Sequence, residues 1–198
     1  MAGTVSMTHD LAASTSTAAG VSFFAFFWII LIAGFLIHWL VDRHRHGHRP
    51  HRAVELGLLW VVAFGGLWTL LGGISHISGQ SHQLATSIGY APSMFQWEVG
   101  WADIAVGFLG LACVRKSLRG QWMTAAVVVL AIYFAGDGIG HIMQWSAHHN
   151  TAPDNIWAIP SDFVQPAVAL VLLFLYRRMG APAPAAEREL SGAGAGSR

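Results

Sequence analysis

Long apolar runs separated by short polar stretches organise the chain. Residues 21–41 read VSFFAFFWIILIAGFLIHWLV, apolar nearly all round. That is about the 20 residues an α-helix needs to cross a hydrocarbon core, and it predicts a peripheral, lipid-facing span. Four further runs predict spans at about residues 54–77, 96–114, 121–145 and 161–176. The predicted fold class is therefore an all-α, polytopic integral membrane protein with five transmembrane helices. Four of them form a membrane domain over residues 54–178, a four-helix bundle with the 21–41 helix as an extra N-terminal span. Residues 1–20 are predicted to be a disordered N-terminal tail, 42–53 a basic His/Arg loop and 179–198 a disordered C-terminal tail.

Small residues fall in stripes along two of these helices. Gly65, Thr69, Gly72 and His76 share one face of the second span; Gln96, Gly100, Asp103, Gly107 and Gly110 share one face of the third. Such stripes let helices approach closely inside a bilayer, and both predict helix–helix contact. The run HHNTAPDNIWAIP predicts a loop before the fifth span, with Asp162 in that span's first turn, where a carboxylate caps a helix.

Charge fixes the orientation. All eleven Lys and Arg lie within 42–52, 115–119 and 177–198, and none lies in the other connections. The positive-inside rule then predicts N-terminus out and C-terminus in. The segment DRHRHGHRPHR at 42–52 is read as an orientation signal rather than a designed metal tract. Composition agrees, with 54% hydrophobic and 11% charged residues. The bilayer is the expected partner, with a membrane partner subunit or a homo-oligomer beside it; nucleic acid is not. The single cysteine, Cys113, excludes an intrachain disulfide and is read as packing.

With that topology, His76, Asp103, Asp137, His141 and Asp162 fall in the outer half of the bilayer, on four different helices. Asp137 and His141 are four residues apart, which at about 100° per residue puts them on one helix face. An ionisable side chain at mid-membrane costs about 2.5–3.5 kcal/mol by insertion scales, so each needs compensation. The candidate set is His76, Asp103, Asp137 and His141, with Glu98 and Asp162 second; Glu98 lies on a different face from Asp103. Such residues suit a transition metal, a haem b held by two histidines, a proton relay serving a small-solute transporter, or a hydrogen-bonded structural core. The reading places a transition metal on His76, Asp103, Asp137, His141 and Glu98, ahead of haem. Neither an HExxH helix nor a nucleophile elbow is present, so no catalytic residue is assigned and the reading leans against an enzyme.

The run GISHISGQSHQLATSIGYAPSMFQWEVGWADIAVGFLGL at 73–111, with GDGIGHIMQW and NTAPDNIWAIPSDFVQP after it, resembles a bacterial family of small multi-span membrane proteins of unknown function. More distantly it is similar to the DoxX-type four-helix membrane proteins. The matching positions are His76, Pro92, Phe95, Gln96, Glu98, Gly100, Asp103, Gly110, Gly140 and His141, most specifically Ser-x-Phe-Gln-x-Glu-x-Gly at 93–100. The resemblance spans about residues 54–178; the chain lacks the DoxX-type arginine before Gly-His and adds a first span. It implies a bacterial inner-membrane location and four core helices but no established reaction, and the chain is read as a small membrane subunit or accessory protein.

Overall fold

A computed structural model of the chain describes residues 3–179, with side chains from residue 23 onward. Among the described residues the fold is all-α, with six helices and no strand. They are α1 (Gly3–His46), α2 (Pro50–Ile77), α3 (Ser81–Ile88), α4 (Phe95–Ala112), α5 (Gln121–His148) and α6 (Pro153–Arg178). Within α2 the turn Trp60–Phe64 widens to π geometry. Four helices are long and apolar enough to cross a membrane: α1 from Phe23, α2, α5 and α6. The fifth expected span, α4, falls short of that measure, because its 18 residues include Gln96, Glu98 and Asp103.

Two boundaries depart from the sequence reading. The backbone of α1 is helical from Gly3, so the stretch expected as a tail at 1–20 joins the first helix; the C-terminal tail lies outside the described residues. Helix α6 starts at Pro153, well before Ser161. Proline at a helix's first position is pre-set in φ and has no N–H to leave unsatisfied, and Asp154 in the first turn suits the positive end of the dipole. Asp162 is consequently no cap: it sits well inside α6 and is buried.

The bundle consists of two antiparallel hairpins, α2 with α4 and α5 with α6. In the first, glycine lets backbone meet backbone. A methyl group on Gly107 would lie 2.6 Å from the Gly66 carbonyl oxygen, and one on Gly73 would lie 2.6 Å from that of Gly100. The α4 stripe expected from sequence is therefore the contact face. On α2 the contact falls to Val62, Gly66 and Gly73, about one residue round from the expected stripe. The face carrying Thr69, Gly72 and His76 turns instead towards an interior cavity. Helix α1 packs outside, with Phe27 and Leu31 buried and Phe26, Ile29 and Ile37 exposed. The Trp28 indole N–H donates to Ser161 Oγ on α6 (3.0 Å) and that of Trp60 to His38 (3.2 Å).

The basic segments meet at one end of the bundle. Arg119 closes α4 by donating to the Cys113 and Val114 carbonyls and reaches Glu55 on α2 at 2.8 Å, while Arg52 bridges Glu55 and Asp42. Cys113 is fully buried beside this link, as its packing role requires. At the opposite end α3 is tied down by Asn150, which donates to the Ile88 carbonyl (2.9 Å).

Candidate binding cavity

Between the two hairpins, below α3 and behind α1, lies a cavity of about 440 Å³. His76, Asp103, Asp137, His141 and Asp162 all line it, so the five ionisable groups expected in one layer meet around one space. Glu98 does not join them: it is exposed and outside the cavity wall. Aromatic rings of Phe27, Trp68 and Phe134 form much of the remaining wall, and Leu84 and Ile88 of α3 roof it.

Each histidine is held in the same way. The Nδ1 of His76 meets Gln96 Oε1 at 2.6 Å, and its Nε2 faces Asp103 Oδ2 at 3.9 Å. The Nδ1 of His141 meets Asn155 Oδ1 at 2.8 Å, and its Nε2 faces Asp162 Oδ2 at 3.8 Å. The Asn155 amide nitrogen donates to the carbonyls of His141 and Asn150, so its oxygen is left to accept. His141 therefore carries a proton on Nδ1, and its Nε2 is the atom presented to the cavity. Asp103 differs from Asp162 in one respect: its other oxygen accepts from the Tyr133 hydroxyl at 2.7 Å.

Some of the polar wall is unsatisfied. Asp162 Oδ2 and Gln165 Nε2 are buried and lack hydrogen-bond partners. Buried polar atoms are normally paired, and two orphans on one cavity wall mark places for a guest or for water. Helix α6 is loosened there too, since Pro160 and Pro166 supply no N–H to the carbonyls of Ile156 and Asp162. At the rim near α3, burial and then the nearby Asp137 carboxylate hold the Tyr90 phenol above its ordinary range.

As to metals, the structure provides two His–carboxylate pairs, but among the described residues no group of three or more His, Cys, Asp or Glu converges closely enough to hold an ion. The five-residue ligand set expected from sequence is therefore not assembled.

The site residues that sequence reasoning overlooked are the amides and Tyr133, and an internal repeat carried the missing signal. Residues 73–77 read GISHI and residues 138–142 read GIGHI; in both halves an amide and an Asp follow seven residues apart, Gln96 and Asp103, then Asn155 and Asp162. The glycine three residues before each histidine lies against the carboxylate-bearing residue of its own hairpin, Gly73 on Asp103 and Gly138 on Asp162. Both hairpins begin at the basic end, so the two halves run in the same sense. Asp137 breaks the symmetry, because Gly72 holds its place in the first half.

No curated protein and no solved structure matches the chain. A model described as "Family of unknown function (DUF6790)" matches residues 21–182, taking in the first helix and the basic loop, and the chain belongs to that family.

Proposed function

We propose that the chain is a multi-pass bacterial inner-membrane protein whose bundle binds a small polar solute from the outer side and exchanges protons with it through the His76–Asp103 and His141–Asp162 pairs. One observation carries this reading: both pairs, with the orphaned Asp162 Oδ2 and Gln165 Nε2, open onto one cavity of about 440 Å³. That volume suits a small solute. Histidine beside a carboxylate inside a membrane suits proton movement, since a proton passes between them without leaving either charge isolated. The same proposal includes five spans with N-terminus out and C-terminus in, distant kinship with the DoxX-type proteins, and a membrane partner subunit or a second copy alongside.

The binding test is thermal unfolding of purified protein against a panel of small polar solutes, on both sides of neutrality. A true ligand at a hundred times its dissociation constant stabilises by about 2.7 kcal/mol. We expect His141→Ala and His76→Ala each to abolish that stabilisation. If no solute stabilises the protein and the two variants only melt earlier, the histidines serve the structure alone and the proposal fails.

Orientation has its own test. In a Cys113→Ala background, an impermeant maleimide added to intact cells should label Gln83→Cys and spare Ser117→Cys. The reverse pattern overturns the orientation.

A transition metal is the second reading, favoured by the amide carbonyls that hold both Nδ1 atoms and leave both Nε2 atoms bare, as at metal centres. Elemental analysis of tag-free protein decides it, about one ion per chain being the supporting result. Haem b fits less well, since each Nε2 faces a carboxylate within 4 Å.

A further inference from the structure

The solute's charge can be read from the balance of groups around the cavity. Among the described residues no Lys or Arg lines it. Each His–Asp pair, facing at 3.8–3.9 Å, contributes no net charge once it shares one proton, whether that proton sits on the imidazole or on the carboxyl. Asp154, in the first turn of α6, also lines the cavity, and Asp137 is left over within the bundle. It forms no hydrogen bond with any described residue, and the repeat provides it no partner, since its counterpart is Gly72. A carboxylate in an apolar bundle needs a counter-charge, and the described group that offers one is His141, one turn along the same helix, which already faces Asp162.

The walls indicate what kind of cation fits. The aromatic side chains of Phe27, Trp68 and Phe134 line the cavity. Aromatic faces attract cations with diffuse charge, whereas a bare metal ion needs more oxygen and nitrogen ligands than the cavity gathers. Independently of the acidic residues, Gln165, a cavity-lining residue only 5% exposed, has an Nε2 without a hydrogen-bond partner among the described residues. This donor, beside Gly65, is free for an acceptor atom on the guest or for a water carried in with it.

We propose that the cavity binds an organic monocation, an alkyl- or arylammonium compound, with Asp137 as its counter-ion and Trp68 and Phe134 as its aromatic wall. This rests on the binding-cavity reading above and adds the charge of the solute to it.

The test uses the full chain in a maltoside detergent, which has no choline headgroup to compete. Thermal unfolding and tryptophan fluorescence are followed with three probes of similar size: benzyltrimethylammonium, benzyl alcohol and benzoate. The expected result is saturable stabilisation by the ammonium probe alone. Asp137→Asn should weaken that binding about tenfold or more, while Asp137→Glu, which keeps the charge, retains it. Equal stabilisation by benzyl alcohol or benzoate overturns the cation assignment, as does an undiminished response in Asp137→Asn; the binding cavity itself then stands. If no probe acts but a solute from the broader panel does, the assignment also falls alone. If neither acts, both readings fall.

Discussion

Gly107→Leu should abolish the folded bundle, and Gly107→Ala should already lower its stability by about 1–3 kcal/mol. The nearest atoms to a methyl group at that position are backbone atoms of α2: the Gly66 carbonyl oxygen at 2.6 Å, Leu70 N at 2.7 Å and Leu70 Cα at 2.9 Å. Backbone cannot rotate aside as a side chain can, so the two helices must separate. The loss of contact then propagates, because Gly66, Gly73, Gly100 and Gly110 depend on the same approach. In a bilayer this packing replaces the hydrophobic drive that lipid removes, which makes the interface sensitive to one carbon. Gly136 on α5 is the control, since a methyl group there would have no neighbouring atom within 4 Å. Gly136→Ala should be neutral, or stabilising by up to about 1 kcal/mol from helix propensity. Unfolding of the purified variants in mixed micelles reads both effects, and comparable losses at the two positions would sink the packing account.

Much of this was legible in the sequence because the bilayer constrains it strongly. Runs of apolar residues must become helices where water cannot satisfy the backbone, and four of the five expected spans coincide with helices long and apolar enough to cross a membrane. The gathering of His76, Asp103, Asp137, His141 and Asp162 followed from placing the helices antiparallel, since the same depth on neighbouring helices means the same layer. Rotation about each axis was less legible. On α2 the residues at 65, 69 and 72 and those at 66 and 73 are both small, and spacing alone does not say which set meets α4; the widened turn at Trp60–Phe64 also shifts the phase.

The start of α6 was obscured by its prolines, which read as loop residues although Pro153 opens the helix and Pro160 and Pro166 lie within it. Glu98 shows a further limit. It shares a helix with Asp103 and matches the same motif, yet its direction turns it out of the cavity. The amides were missed because neutral residues attract no attention when the search is for charge. They became visible through the repeated Gly-Ile-x-His-Ile and the amide-to-Asp spacing, an internal comparison that needs no structure.

Asn155→Ala should cost about 3 kcal/mol or more, and substantially more than Gln96→Ala at the equivalent place in the other half. The two amides do the same thing to their histidines, but Asn155 does more besides. It is fully buried, and its nitrogen also donates to the His141 and Asn150 carbonyls. Asn150 in turn holds the Ile88 carbonyl, so the asparagine secures the end of α5, the start of α6 and the roof helix α3 together. Removing it leaves the Asn150 carbonyl and one imidazole nitrogen without a partner in a tight site and strips the second hydrogen bond from the His141 carbonyl, each lost partner costing about 1–3 kcal/mol if water does not replace it. Gln96 has only the His76 contact to lose, and about 1–2 kcal/mol is expected there. Yet if the halves are functional equivalents, the two substitutions should damage solute binding to a similar degree, because each frees one histidine from the orientation that aims Nε2 at its carboxylate. Unequal stability with equal loss of binding separates positioning from scaffolding. Losses of binding that merely track losses of stability would mean that the amides hold the fold and nothing more.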